Sequence, residues 1–489
     1  LQRAPRGLNV KGKGGPPPAF GGPPPPQHRL ANEKDGPVPR WNVLPGVPEP
    51  AALAAIAAQR LYDEMTIQVY PDGAQVELAP GYHGVSLHNF LGTFRLAQLN
   101  DVPLPGDYVQ RLERMYDFYL RIAMPDGRYP GLNDSGWGDA RGPLREGFEL
   151  FPERTDFQFV GTNGSAGTNP DFASTVMPYA GWAMQRSGWG TDDAYLHFEF
   201  GPYGAGHQHE DKLSCVIHAY GHRLLTEGGV YAYDSSPCRR YVLSTRSHNT
   251  VMVDGMDQNR RGLRETYIVE AALPNRWIST AQFDFAEGWY DEGYGPQRDR
   301  TVTHRRAVLF IKPDFWLIID RLTPADALPH RYDALFHFDT DAARVLESPA
   351  GVVSAAPDAA NLAIVPLHPA AVTLEVVCGQ EEPVVQGWVP AGGYRVRPVA
   401  TPVFTATGVG PRLLPWLLLP LRPGAELPGL AVSVGGSAGA MEFAVSWADG
   451  RRHVLRLPLA DPEGATTGAL HWAEWREGRL VSEIGIPER

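Results

Sequence analysis

The stretch RRAVLFIKPDFWLIIDRL (residues 305–322) consists of two long apolar runs separated by Pro and Asp. Similar runs, rich in Val, Leu, Phe and Tyr, recur from about residue 191 onward, for example LSCVIHAY, RYDALFHF and MEFAVSWADGRRHVLRLPL. Short apolar runs bounded by turn residues are typical of strands joined by hairpins, and one such hairpin is predicted to turn at Ala448-Asp449-Gly450. The sequence therefore predicts a large antiparallel β-sandwich domain over residues 191–489.

Apolar residues between positions 46 and 190 follow a helical spacing instead. Leu87, Phe90, Leu91 and Phe94 recur at i, i+3, i+4 and i+7, and a second stripe follows Asp107, a predicted N-cap. The region holds four or five predicted helices. Helices first and strands afterwards favour an α+β chain with the two layers in separate domains and a ligand cleft between them.

Residues 1–45 contain GGPPPAFGGPPPPQ, a composition that buries too little apolar surface to offset chain entropy. This segment is predicted to be a linker or a disordered arm. The remaining chain exceeds what one core usually supports, which also predicts at least two domains.

The net charge of −11 argues against nucleic acid as a partner. Apolar runs are too short for a membrane span, so no membrane partner is expected. Cys215, Cys238 and Cys378 form no CxxC pair and are interpreted as buried thiols. The chain begins without a signal-peptide pattern, which leaves a periplasmic or secreted and a cytoplasmic location equally open.

The segment GAGHQHEDKLS (204–214) places His207 and His209 one residue apart, just before an apolar run. On a strand these two side chains share a face, so they could bind one metal or divide two tasks. Glu227 and His248 follow, each beside a further apolar run, and two imidazoles with one carboxylate can form a zinc site if the strand ends converge. The competing interpretation is that these are ordinary polar residues at strand ends.

Three blocks, GAGHQHEDKLS, LLTEGGVYAYDSSPCRRY and STRSHNTVMVDGMDQ, resemble successive motifs of the heparinase II/III-like family of polysaccharide lyases. A fourth block, YPDGAQVELAPGYHGVSL (70–87), resembles the family's segment that brings a catalytic polar residue into the cleft. The resemblance implies an (α/α) toroid, incomplete here because the helices are few, packed on an antiparallel β-sandwich. It also implies β-elimination of uronate-containing polysaccharides.

Carried over to this chain, the resemblance implies that His209, Glu227 and His248 hold a structural zinc. Glu227 stands where the family usually has an aspartate. His207 would face the substrate as a base or a charge-neutralising group, and His83 would polarise the uronate carboxylate.

Elimination across C4 and C5 of a uronate requires neutralisation of the carboxylate, a base at C5 and a proton for the departing O4. The family commonly supplies a catalytic tyrosine from the toroid, and Tyr129 is the only tyrosine in the corresponding stretch RYPGLNDSGWGD. Tyr231 and Tyr233 are the alternatives. The predicted substrate contacts are Tyr82, Asn133, Trp137, Tyr231 and Arg240, whereas Arg260 and Arg261 are interpreted as surface charge.

The prediction is thus a polysaccharide lyase for an acidic glycan, with glycosaminoglycans first and alginate-like uronans second. Homodimerisation is a further possibility. One rival is a glycoside hydrolase with a carboxylate pair drawn from Asp134, Asp139, Glu210 and Asp211. The other is a glycan-binding protein that retains the scaffold without catalysis.

Overall fold

The computed structural model describes residues 50–437, 439–458 and 469–487. The predicted arm over residues 1–45 lies outside these ranges. The described residues from 55 onward form one compact unit, and residues 50–54 belong to an N-terminal unit. Whether the chain divides into two domains near residue 190 remains a prediction.

Five helices precede the main sheets, and a sixth lies between two strands. They are α1 (Pro50–Gln68), α2 (Pro80–Leu99), α3 (Tyr108–Ile122), α4 (Arg141–Leu150), α5 (Thr155–Gly161) and α6 (Pro237–Leu243). The predicted stripes face inward: Leu87, Phe90 and Leu91 are buried on α2, as are Leu112 and Met115 on α3. Burial of each such side chain contributes roughly 1.5–3 kcal/mol to folding. None of these described helices is long and apolar enough to cross a membrane.

Asp107 occupies the predicted N-cap position of α3, but its carboxylate does not cap the helix. It accepts hydrogen bonds from Arg111 Nε at 2.7 Å, from Arg114 at 2.9 Å and from Tyr62 at 2.9 Å. Although burial opposes the effect, these donors lower the pKa of Asp107 to about 2. The two guanidinium groups compete successfully with the backbone N–H groups for this side chain.

The first strands form a two-stranded ribbon and a five-stranded sheet of order β3-β4-β5-β6-β7. Their bounds are β1 (Arg128–Tyr129), β2 (Gly138–Asp139), β3 (Thr175–Met177), β4 (Trp182–Arg186), β5 (Tyr195–Glu199), β6 (Cys215–Ala219) and β7 (His222–Leu225). Because β3 pairs with β4 and β4 pairs with β5, the strand-rich region begins before residue 190.

An eight-stranded sheet of order β14-β15-β16-β21-β12-β11-β10-β9 and a four-stranded sheet of order β17-β20-β13-β8 follow, with a ribbon β18-β19. The bounds are β8 (Val251–Val253), β9 (Arg276–Ser279), β10 (Phe283–Tyr290), β11 (Val302–Ile311), β12 (Phe315–Pro324), β13 (Pro329–Leu335), β14 (Ala343–Glu347), β15 (Ala350–Ser354), β16 (Asn361–Pro366), β17 (Thr373–Val377), β18 (Trp388–Pro390), β19 (Val396–Pro398), β20 (Thr401–Val409) and β21 (Arg412–Leu421).

A final sheet contains β22 (Leu430–Ser437), β23 (Ala440–Trp447), β24 (Arg451–Pro458), β25 (Ala469–Arg476) and β26 (Arg479–Pro487), paired in sequence order. The predicted hairpin at Ala448-Asp449-Gly450 joins β23 to β24 and is confirmed. Gly450 takes a left-handed φ of 86°, which a residue without a side chain adopts at little cost.

The cores show why residues 305–322 read as continuous apolar runs. In β11, Val308 and Phe310 enter a core shared with the four-stranded sheet and with the β3–β7 sheet. Leu309 and Ile311 enter another core, shared with β22–β26. Since both faces of the eight-stranded sheet are covered, its central strands have few polar positions. A third core joins α1–α5 to the opposite face of the β3–β7 sheet.

Inside this packing lies a buried ionic cluster centred on Asp320. Its Oδ1 accepts hydrogen bonds from His304 Nε2 at 2.8 Å and Arg306 Nε at 2.7 Å, and its Oδ2 accepts from Trp416 Nε1 at 2.8 Å. Arg306 also donates to the carbonyl of Leu213 at 2.8 Å. The cluster thereby ties the eight-stranded sheet to the start of β6.

The three cysteines are free, but only one fits the prediction of buried thiols. Cys215 is buried in β6, Cys238 is half-buried and Cys378 is exposed. The prediction was wrong for Cys378 because the residues that follow β17 lie at the surface.

Candidate active site at the His207 loop

The loop before β6 separates His207 from His209. His207 has a left-handed φ of 58°, so the segment is not extended, and β6 begins only at Cys215. The imidazole of His207 is 29% exposed, whereas that of His209 is fully buried. The premise that both side chains share a strand face was therefore wrong, and the two residues have separate surroundings. The backbone N–H of Asp134 holds the turn by donating to the carbonyl of His207 at 3.0 Å.

Glu77 and Tyr82 hold the imidazole of His207 in place. Its Nδ1 lies 2.9 Å from Glu77 Oε2, and its ring stacks on Tyr82 with centroids 3.4 Å apart and planes inclined by 12°. A carboxylate only accepts hydrogen bonds, so Nδ1 carries the proton and donates it. In the neutral ring Nε2 then holds the free lone pair.

Two phenols meet beside this imidazole. The hydroxyl of Tyr82, on α2, lies 2.7 Å from the hydroxyl of Tyr233, in the loop between β7 and α6. The guanidinium of Arg239 lies 4.7 Å from the centre of the Tyr233 ring. Tyr233 is 60% exposed, but partial desolvation of its hydroxyl, the hydrogen bond to Tyr82 and the charge of Asp134 raise its pKa above the usual value. Tyr233 thus keeps its proton at neutral pH.

Asp134 links this surface to the buried His209. Its carboxylate forms a two-point ion pair with Arg239 and accepts a hydrogen bond from His209 Nε2 at 3.1 Å. Burial alone would raise the pKa of Asp134, but the bonds from Arg239 and His209 lower it to about 2. Asp134 is therefore an ionised structural partner, and it has no free proton for acid catalysis.

His248 and Glu227 form a second buried pair behind the loop. His248 Nδ1 donates to Glu227 Oε2, and Glu227 Oε1 accepts from the hydroxyl of Ser214. Burial disfavours the imidazolium, but the adjacent carboxylate prevails and raises the pKa of His248. The same pairing lowers the pKa of Glu227 against the effect of burial.

Of the three predicted zinc ligands, the two histidines have a nitrogen free to bind a metal, whereas the glutamate has no free oxygen. His209 Nδ1 and His248 Nε2 are buried, have no hydrogen-bond partner, and belong to rings with centroids 5.3 Å apart. Both oxygens of Glu227 are already engaged. Among residues 50–437, 439–458 and 469–487, no group of three His, Cys, Asp or Glu residues is arranged to hold a metal ion. The two imidazoles suit zinc, whereas the carboxylate as placed does not.

His83 does not reach the site. It is 1% exposed, its Nε2 lies 2.9 Å from the carbonyl oxygen of Met115, and its ring stacks on Phe118. Burial lowers the pKa of His83 to about 3, so the ring is neutral. Neighbouring helical residues point about 100° apart, so Tyr82 and His83 cannot both face the site. The catalytic assignment of His83 was wrong.

Asn133 supports the backbone instead of binding substrate as predicted. Its side chain donates to the carbonyl of Leu78 at 2.9 Å and accepts from the backbone N–H of His209 at 3.0 Å. The amide is buried and occupied at both ends. It ties the start of α2 to the His207 loop.

The other predicted contacts are dispersed. Tyr129 packs in the helical core, where its ring lies 5.6 Å from that of Tyr119. Trp137 is covered by the guanidinium of Arg223 at 3.8 Å. Tyr231 is half-buried and Arg240 is exposed on α6, in the same segment as Tyr233. Of the three candidate tyrosines, Tyr233 is the one that the structure places against His207.

The carboxylates proposed for a hydrolase have other partners. Asp139 binds Arg141 at 2.6 Å on the surface, and Glu210 accepts from the backbone N–H of Arg260 at 2.8 Å. Asp211 is buried. With Asp134 held by Arg239, none of the four is placed as a free acid beside His207.

Glu77 is a site residue that the sequence did not reveal. It lies in the stretch YPDGAQVELAPGYHGVSL, between a β-bridge at Gln75 and α2, and has no helical or alternating neighbours to mark it. Its contact partner is 130 residues away along the chain. Only the folded chain brings the pair together.

The fold and site define an α+β protein in which a half-exposed histidine, oriented by a carboxylate, lies beside two hydrogen-bonded phenols. Residues 169–445 match the family model described as Heparinase II/III-like, C-terminal, and residues 41–159 match Heparinase II/III N-terminus. The first match covers more than half of the chain, which therefore belongs to the heparinase II/III-like family.

Two curated relatives are heparin-sulfate lyases. That of Pedobacter heparinus is 27% identical over 270 residues, which cover 53% of this chain and 39% of the relative. That of Bacteroides stercoris is 25% identical over 295 residues, covering 57% and 41% respectively. The matched segments span about two fifths of each relative's length.

Solved structures are similar over more of the chain. A heparinase III structure superposes with a TM-score of 0.70 at 20% identity, covering 83% of this chain and 62% of that one. The heparan sulfate lyase of Pedobacter heparinus superposes with a TM-score of 0.69 at 21% identity, covering 82% and 61%. At these identities the likeness concerns the fold.

Proposed function

We propose that this protein is a polysaccharide lyase that cleaves a glycosaminoglycan of the heparan sulfate type by β-elimination. The observation that carries the proposal is the half-exposed imidazole of His207, held by Glu77 and stacked on Tyr82 beside the hydroxyl of Tyr233. The names of the curated relatives support heparan-type glycans ahead of chondroitin, hyaluronan or alginate.

In the proposed reaction His207 Nε2 takes the proton from C5 of the uronate. The electron pair of that C–H bond forms the C4=C5 double bond, and the C4–O4 bond breaks. The phenol of Tyr233 gives its proton to O4, which leaves as a hydroxyl. One residue thus gains a proton, the other loses one, and solvent restores both.

The geometry supports this division of roles. Glu77 fixes the tautomer of His207, so that the lone pair is on the nitrogen that does not face the carboxylate. The stacking with Tyr82 restrains rotation of the imidazole ring. Tyr233 has a raised pKa and therefore stays protonated until a developing alkoxide provides a stronger acceptor.

Replacing Glu77 with Gln should reduce kcat by about tenfold to a hundredfold, with KM changed less than threefold. These factors are of the order seen when a carboxylate that orients a histidine is lost. The amide can present its N–H to Nδ1 and stabilise the other tautomer. Steady-state kinetics at pH 7 would check this. Glu77→Asp, which keeps the charge, should recover part of kcat, and an unchanged kcat in Glu77→Gln would contradict the orienting role.

The reaction class is tested by ultraviolet absorbance of the conjugated C4=C5 uronate. Heparan sulfate, chondroitin sulfate, hyaluronan and alginate are incubated separately with the purified protein. We expect absorbance to rise first with heparan sulfate. Release of reducing ends without absorbance would point to hydrolysis, and no product from any glycan would overturn the proposal in favour of binding alone.

A structural zinc held by His209, Glu227 and His248 remains part of the proposal. Support comes from the two unpartnered imidazole nitrogens and from the fact that Glu227 already holds the other nitrogen of His248. Carboxylates commonly orient zinc-binding histidines in this way. To act as a ligand itself, Glu227 would have to release one of its present partners.

Metal analysis tests the zinc site without any activity measurement. The purified protein should contain about one zinc per chain, and His209→Ala should lose most of it because one of few ligands is missing. His207→Gln is the matched control, since His207 is close in sequence but outside the ligand set. Zinc content retained in His209→Ala, or absent from the unmodified protein, would refute the site.

The finer architecture is also proposed. Helices α1–α5 would correspond to part of the family's toroid, and the stacked sheets to its β-sandwich. The match of residues 41–159 to the family's N-terminal model supports the first assignment. Homodimerisation stays a prediction that sedimentation would test.

A further inference from the structure

An open cavity of 650 Å³ adjoins the His207 loop. Residues on its wall include Tyr203, Gln208, Glu210, Arg240, Asp257 and Arg261. Gln208 directly follows His207, and Arg240 directly follows Arg239, whose guanidinium covers Tyr233. The proposed catalytic groups and this cavity therefore share the same two backbone segments.

Two exposed arginines line the cavity. Arg240 and Arg261 are both exposed, and among the described residues neither forms an ion pair with a carboxylate. The guanidinium of Arg240 donates to the carbonyl of Ser235 and has further N–H groups to offer. Arg260 differs, because it is buried and paired with Glu292 at 3.2 Å. The interpretation of Arg260 as surface charge was therefore wrong.

Neither carboxylate of the wall forms an ion pair with Arg240 or Arg261 in the part of the chain that the structure describes. Glu210 instead accepts hydrogen bonds from the backbone N–H groups of Arg260 and Arg261. Burial raises the pKa of Asp257, and its Oδ1 is itself out of contact with solvent.

We propose that this cavity is a subsite for a sugar next to the cleaved linkage, in which Arg240 and Arg261 bind an anionic substituent. This inference rests on the proposed function for its substrate. The anionic group is a sulfate or a carboxylate, both of which match the planar fork of a guanidinium. The subsite makes the protein selective for charged sugars through contacts outside the reacting atoms.

Kinetics of Arg240→Ala/Arg261→Ala separate the two anions. The substrates are heparan sulfate and the same backbone without sulfate, fully N-acetylated. If the arginines bind sulfate, KM should rise at least about tenfold more on the sulfated glycan than on the unsulfated one. If they bind the uronate carboxylate, KM should rise at least about tenfold on both. An unchanged KM on both, or a loss confined to kcat, would overturn the subsite.

Direct binding tests the subsite independently of catalysis. Calorimetric titration with a heparan sulfate oligosaccharide should show a Kd at least about tenfold weaker for the double alanine variant. The double lysine variant, which keeps the charge but not the fork, should be intermediate. Arg344→Ala/Arg452→Ala, which removes two exposed arginines outside the cavity, is the matched control and should bind like the unmodified protein.

The two proposals can fail separately. Arginine-dependent binding without absorbance on any glycan would remove the lyase function and leave the subsite. Elimination with equal Kd for the unmodified and double alanine proteins would leave the lyase and remove the subsite.

Discussion

His207→Ala should lower kcat on the preferred glycan by about 10²–10⁴-fold, the usual contribution of a positioned proton-transfer group. The substitution removes the imidazole that lies beside the two phenols, in which Glu77 holds Nδ1 and leaves Nε2 free. Substrate affinity should change less than threefold, because the proposed anion contacts lie in the neighbouring cavity. Absorbance kinetics and calorimetric binding on the same preparations would measure both quantities.

His88→Ala is the matched control for this experiment. His88 is an exposed histidine of α2, the helix that also carries Tyr82, and it should tolerate removal. Turnover within tenfold of the unmodified protein in His207→Ala would remove His207 from the mechanism. Loss of binding together with turnover would instead favour a role in holding the substrate.

Asp320→Asn should destabilise the fold by about 3–5 kcal/mol, as expected when a buried ion pair loses one charge. Asp320 and Arg306 are fully buried, and the guanidinium would keep its charge without a counter-ion. Because Arg306 also donates to the carbonyls of Leu213 and Asn249, the loss of stability should extend to the segments that carry the site. Urea denaturation at pH 7 would measure the change in the free energy of unfolding.

The pH dependence of this cluster has a defined sign. The charge of Arg306 and the hydrogen bond from His304 outweigh burial and lower the pKa of Asp320. The contribution of ionised Asp320 to the free energy of unfolding is therefore full above about pH 4, the pKa of an aspartate in the unfolded chain. This contribution is lost as the pH falls through the pKa of Asp320 in the folded protein. Burial lowers the pKa of His304, so protonation of this imidazole also lowers the free energy of unfolding below about pH 6.5, the pKa of a histidine in the unfolded chain. Stability of the unmodified protein should decline on acidification from neutrality.

Asp192→Asn provides the comparison for Asp320→Asn. Asp192 lies 3.9 Å from Arg422 on the surface, with both side chains more than half exposed. Removal of this ion pair should lower the free energy of unfolding by less than about 1 kcal/mol. Equal effects of the two substitutions would show that the Asp320 cluster is not a principal support of the fold.

The sequence could predict the elements because their signals are local. The stripes of α2 and α3 and the turn at residues 448–450 depend on neighbours within a few positions, and all three appear in the fold. The motifs around His207, Glu227 and His248 were also local, and they sufficed to indicate the family. The capping role of Asp107 failed because its partners, Arg111 and Arg114, compete from the next turns of the helix.

What the sequence by itself determined is that most helices precede most strands, the family, and the segments that supply the site. Only the tertiary structure decided which side chains meet. It buried His83 and left Tyr82 half-buried against His207, although the two are adjacent, because packing decides which helix face is covered. It also joined Glu77 to His207 across 130 residues and Tyr82 to Tyr233 across 151. Such contacts form between segments whose proximity no local pattern records.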